Sequence, residues 1–98
     1  MDLSFNRLVQ KDVDEIIDYY EAISDKLVSR FFCDMELRIN EIKENPKRFP
    51  KDQNHPLYRK VKMRNFLYCI VYRVLFNRIR VLVIKHENRK PSFGLKRY

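Results

Sequence analysis

Ninety-eight residues with 45% hydrophobic and 35% charged side chains and a single glycine describe one globular domain over residues 1–98, and they exclude a disordered tail or a low-complexity linker. No apolar run approaches the roughly 18 residues of a membrane span, and Met1-Asp2-Leu3 lacks the basic-then-apolar start of an export signal, so a cytoplasmic chain with no membrane partner is expected. The net charge of +8 is unevenly placed: from Leu57 onward there are 12 Lys and Arg against one acid, Glu87, a net of +11, while residues 1–56 hold 9 bases and 12 acids, a net of −3. Crowding like charge on one half costs stability through self-repulsion, which points to an anionic partner, either nucleic acid or an acidic protein segment.

In chain order, Leu3 to Val9 nearly alternates apolar and polar residues, as a short strand with one buried face does. From Gln10 to Ile23 the period becomes helical through Val13, Ile16, Ile17, Tyr20 and Ile23, and Asp12 with Glu15 three residues on resembles a capping box. Ser24-Asp25 offers a new cap. Leu27, Val28, Phe31, Phe32, Met35, Ile39 and Ile42 then mark a longer helix ending near Glu44, and so short a break forces an antiparallel helical hairpin.

The segment from Asn45 to Pro56 contains Pro46, Pro50 and Pro56 and cannot continue the helix, so it reads as a long surface loop. Three strand patterns follow. Leu57 to Met63 places Lys60 and Lys62 on one face and Val61 and Met63 on the other. Leu67 to Leu75 is β-branched and aromatic throughout, as a central strand is. A turn at Phe76-Asn77, with Asn77 expected to take the left-handed conformation, leads into Arg78 to Lys85, where Ile79, Val81 and Val83 alternate with Arg80, Leu82 and Ile84. A basic tail, expected to lie extended on the sheet, closes the chain. Cys33 and Cys69 fall in apolar segments without metal-ligand spacing and read as reduced, buried packing residues, with no disulfide, metal or cofactor expected.

The expected fold is therefore α+β: an N-terminal strand, an antiparallel helical hairpin packed on one face of a four-stranded, mostly antiparallel sheet, and a basic C-terminal tail. The sheet face away from the helices is left for binding. Lys60 and Lys62 would share that surface with Arg89 and Lys90.

That order, with Tyr68-Cys69-Ile70-Val71-Tyr72-Arg73, then Ile79-Arg80-Val81-Leu82-Val83-Ile84, then His86-Glu87-Asn88-Arg89-Lys90-Pro91-Ser92-Phe93, resembles the RelE/ParE superfamily of toxins from type II toxin–antitoxin modules. The resemblance covers almost the whole chain, and its most specific part is the His-x-x-Arg-x-Pro segment. That ending is most similar to the ParE and plasmid-stabilisation branch, whose described target is DNA gyrase; RelE-type members cleave mRNA on the ribosome. The resemblance implies a cognate antitoxin as partner, in a toxin–antitoxin hetero-oligomer, and inhibition of growth.

The two branches differ in chemistry. Metal-free RNA cleavage must deprotonate the ribose 2′-hydroxyl, neutralise the phosphorane and protonate the leaving oxygen. In the nuclease branch this falls to strand lysines, an arginine on the next strand, an arginine past the last strand and a tail tyrosine. Lys60 and Lys62 stand on the matching strand and Arg89 matches the last arginine, but Cys69 occupies the central-strand position and Phe93, Gly94 and Leu95 stand where the tyrosine would be. If the chain is nonetheless a metal-independent endoribonuclease, Lys60, Lys62, Arg89 and His86 are its candidate catalytic residues, His86 as base. The other reading of His86 is a strand-end histidine bonded to backbone. Lys60, Lys62, Arg64, Arg89, Lys90, Lys96 and Arg97 are the candidate residues for contact with an anion or target. The departures favour a ParE-like toxin that acts by binding. An altered RelE-like nuclease is the first alternative, and an inactive homologue acting with its antitoxin in repression the second.

Overall fold

The computed structural model describes residues 1–53 and 55–97. The elements run β1 (Asp2–Phe5), α1 (Val9–Glu21), α2 (Asp25–Glu44), β2 (Arg59–Lys62), β3 (Tyr68–Leu75) and β4 (Arg78–His86), the order anticipated from hydrophobic periodicity. The strands form one sheet in the order β1-β4-β3-β2, with β1 parallel to β4 and the other two pairings antiparallel. Both helices pack on one face. Val9, Val13 and Ile16 of α1 and Phe31 and Ile42 of α2 close on Val61, Ile70, Tyr72, Ile79, Val81 and Ile84.

Local chemistry explains where the helices begin. Ser24 has extended backbone and its Oγ accepts from the Lys26 N–H at the start of α2, an N-cap in the ordinary sense. The expected capping box at Asp12 and Glu15 does not form. Instead Asn6 turns the chain: its Oδ1 accepts from the Leu8 N–H and its own N–H donates to the Val81 carbonyl. The helix therefore starts at Val9, without a side-chain cap, and Asp12 lies inside it, 8% exposed.

Three further expectations are corrected. In β4, Val83 pairs with Val71 and Val81 with Tyr72, leaving Leu82 as an extra residue. This bulge reverses the alternation beyond it, so Ile79, Val81 and Ile84 face the helices while Leu82 and Val83 join a second cluster on the opposite face. At the β3–β4 turn, Phe76 rather than Asn77 has positive φ, 49°, because the pairing of Leu75 with Arg78 makes Phe76 the first central turn residue. Cys69 is fully buried as expected, but Cys33 is exposed, since the buried stripe of α2 passes through Phe31, Asp34 and Ile42.

The basic tail does lie on the sheet face away from the helices, though not extended. The N–H groups of Phe93, Leu95 and Arg97 donate to the carbonyls of Lys90, Ser92 and Gly94, a run of tight turns. Leu95 seats on Val71, Leu82 and Val83, flanked by Tyr58 and Phe93, and the Tyr58 hydroxyl donates to the Leu95 carbonyl at 2.9 Å. Gly94 makes this closeness workable: its φ is +81°, and a Cβ there would stand 2.7 Å from the Cβ of Val83.

Candidate functional site

The sheet pairing places Lys60 opposite Val71 and Lys62 opposite Cys69, so both lysines share the tail-side face at the β2 edge. They line a groove with Lys51, Pro50, Asp52 and Pro91. Lys62 is exposed and its ammonium lies 3.4 Å from the Glu87 carboxylate; Lys60 is half-buried.

The other candidates do not gather there. Arg64 turns toward α2, where its guanidinium, 3.2 Å away, joins Arg48 at 3.3 Å and Arg38 at 3.5 Å around the Glu41 carboxylate. His86 and Arg89 line a cleft beside α1 with Asp12, Glu15, Tyr19, Tyr68 and Phe93. The His86 Nδ1 accepts from the Asn88 N–H at 3.1 Å and its ring stands edge-on to Tyr68, the backbone-bonded role read as the alternative to catalysis. Arg89 lies over the Phe93 ring, 4.4 Å from the centroid. Lys90 is exposed, and Lys96 is exposed beside Arg7 and Arg80 near the β1 edge. Of the residues expected to share one surface, Lys60 and Lys62 line the β2 groove with Pro91, the neighbour of Lys90, while Arg89 lines the cleft beside α1.

Arg97 is committed elsewhere. Its Nη1 and Nη2 donate to the two Asp12 oxygens at 2.7 and 3.1 Å, and Nη1 also donates to the Leu82 carbonyl. The third donor to Asp12 is the Ile84 N–H. A bidentate pair this buried, with a further bond to the Leu82 carbonyl, holds the tail to both the helix and the sheet.

The sequence reading missed Lys85. It is 4% exposed and stands opposite Cys69 in the β3–β4 pairing, on the face the tail covers. Its ammonium donates to the carbonyls of Lys90 at 3.3 Å, Pro91 at 2.9 Å and Phe93 at 3.1 Å. Burial holds its pKa below the ordinary lysine value, and Lys60 adds to the depression. Burial also raises the Cys69 thiol, against the pull of Lys60 and Lys85. The signal was present: Lys85 follows the apolar run Val81 to Ile84, and a lysine that continues a buried run has to find carbonyl partners.

On the tail-side face, then, the buried Cys69 thiol stands opposite the ammonium of Lys85, which three tail carbonyls hold, while Lys62, Lys90 and Lys96 are exposed. Among the described residues no group of three or more His, Cys, Asp or Glu converges to hold a metal ion, and no helix is long and apolar enough to cross a membrane.

A helical hairpin over a mixed four-stranded sheet, with a basic tail folded on the far face, makes the chain a small α+β domain. The family model described as ParE toxin of type II toxin–antitoxin system, parDE, matches residues 3–91, and the chain belongs to that family; it is the toxin component of a type II system. Among solved structures, a chain from the chromosomal ParDE toxin–antitoxin system of P. aeruginosa superposes with a TM-score of 0.78 at 19% identity, covering 88% of this chain and 95% of that one, which is a likeness of fold. No curated protein matched the sequence.

Proposed function

We propose that this chain acts as a single cytoplasmic domain that inhibits growth by binding DNA gyrase, and that a cognate antitoxin neutralises it in a plasmid-stabilisation or related module. The observation that carries this reading is the closed tail-side face. Where an mRNA-cleaving relative would need an arginine facing the scissile phosphate, Cys69 is 0% exposed, and the adjacent Lys85 is occupied by three tail carbonyls. A buried neutral thiol cannot neutralise a phosphorane, and loss of one such charge costs about a hundredfold or more in rate. Binding a protein target needs no nucleophile and leaves that core free to be packed.

The reading as a ribosome-dependent mRNA endonuclease retains one supporting observation, the groove in which Lys60 and Lys62 stand together with Lys51. The test is a gyrase reaction on supercoiled plasmid with the purified chain, followed by detergent and protease. Accumulation of linear DNA, the product of trapped cleavage complexes, is expected. Unchanged supercoiling with no linear product removes gyrase as the target. Absence of any growth arrest on expression would leave the chain as an inactive partner in repression.

A further inference from the structure

The turn between β3 and β4 holds a residue that neither packing nor backbone preference explains. Phe76 is 99% exposed, and among the described residues it is the one non-glycine with positive φ. It occupies the first central position of a two-residue hairpin turn, where glycine is the ordinary choice for positive φ. A bulky side chain strains the backbone there, and no burial offsets the strain. An aromatic ring held in solvent on a strained turn stabilises nothing within the chain, so its value lies in contact with another molecule.

The charge around it is one-sided. Arg73 and Arg80 are direct cross-strand partners, and Arg78, two residues before Arg80, shares their face. Like charges opposed on neighbouring strands repel. Among the described residues no carboxylate forms an ion pair with Arg73 or Arg78, while Arg80 donates to Ser4 Oγ and the Phe5 carbonyl. Arg7 and Lys96, both exposed, continue the patch along a groove that Arg80 also lines. Asp2, opposite Arg78 on β1, is the acid alongside. The β2 pairing stops at Tyr72, so the last residues of β3 are uncovered on that side.

Protein interfaces enrich arginine and aromatic residues too, but around an apolar core, whereas nucleic-acid interfaces are more polar and much more positively charged, as this patch is. Guanidinium groups also meet phosphate oxygens bidentately. We propose that this hairpin end is a contact surface for the backbone of duplex DNA, with Arg73, Arg78 and Arg80 on phosphates, Arg7 and Lys96 extending the track, and Phe76 resting on sugar and base edges in the groove. It is a property of the free chain and does not rest on gyrase being the target.

The test is fluorescence anisotropy of the full chain with a labelled duplex of mixed sequence, from about 50 to 200 mM salt, the range over which phosphate contacts lose affinity steeply. Two double variants of equal net charge are compared, Arg73→Gln with Arg78→Gln and, on the helices, Lys11→Gln with Lys26→Gln. The arginine pair is expected to weaken binding about tenfold or more and to lower the salt slope by about 2, and the lysine pair to change little. Phe76→Gly is expected to weaken DNA binding severalfold while raising Tm, opposite signs that a merely structural role cannot produce. Equal losses in the two double variants, unchanged affinity in Phe76→Gly, or no binding at the lowest salt would overturn the proposal. So would a labelled polyglutamate peptide binding through the same arginines as tightly as the duplex, since the surface would then fit an acidic protein.

Discussion

Asp12 receives both guanidinium donors of Arg97 and the Ile84 N–H, so one carboxylate joins α1, β4 and the tail. Replacing it by alanine would strand a nearly buried guanidinium and a strand N–H together. Removing one member of a buried pair costs about 3 kcal/mol or more, a large share of the 5–15 kcal/mol typical of such a domain. Urea unfolding of Asp12→Ala should show that loss, whereas Asp18→Ala, on the exposed face of α1, should stay within about 0.5 kcal/mol of the parent. Equal effects from the two would remove Asp12 from its central place.

Tyr72 sets an alkaline limit at the same scale. Burial raises its phenol from the ordinary 10.0 to about 12, with Arg59 opposing, and the hydroxyl donates to the Pro46 carbonyl. The folded state therefore keeps a proton that the unfolded chain gives up, so this contribution is complete below pH 10 and is lost as pH rises through about 12. Lys85 works in the other sense: its depressed pKa means the cost of burying an ammonium is relieved as pH approaches 10.5. Between pH 10 and 12 the tyrosine effect prevails, and the parent should lose on the order of 2 kcal/mol more than Tyr72→Phe over that range, as read by chemical denaturation at each pH. Parallel pH profiles for the two proteins would show that the phenol is not the group responsible.

At the scale of elements, the tail decides what the sheet can present. Gly94→Ala forces a Cβ to within 2.7 Å of Val83 on a backbone that side chains resist, a cost on the order of 2–3 kcal/mol. The displaced tail should uncover Cys69. A thiol reagent is expected to label exposed Cys33 quickly and Cys69 slowly in the parent, and both quickly in Gly94→Ala. If Cys69 labels quickly in the parent, the tail is not the cover described. The strands and helices were legible because their apolar periods are local. The tail's packing was not, since it depends on Leu95 reaching Val71 and Arg97 reaching Asp12, pairings between residues far apart in sequence. The same holds for the candidate site. Lys60 and Lys62 could be placed on one face by counting along β2, but the diversion of Arg64 to Glu41 required the position of α2. The β4 bulge at Leu82 likewise follows from pairing, which no alternation within one strand reveals.

For the whole molecule, Lys85 and Arg97 are bound internally and Arg64 pairs with Glu41, and the other cations from Leu57 onward are spread over several sites. The cations stand in the β2 groove, the α1 cleft, the β1 edge and the hairpin end, a belt suited to a long anionic partner that wraps the domain more than to a small substrate held at one point. Affinity for an acidic antitoxin segment should accordingly fall as salt is raised from about 50 to 500 mM, through shortening of the Debye length; titration calorimetry giving the same affinity throughout would mean that charge does not drive the association. The central claim is that this toxin acts by binding and not by cutting message. It is tested most directly by mapping message ends at nucleotide resolution in a cell-free translation reaction containing the purified chain. Intact message at toxin concentrations that arrest growth is the predicted result; codon-phased cuts that disappear in Lys60→Ala with Lys62→Ala would contradict it.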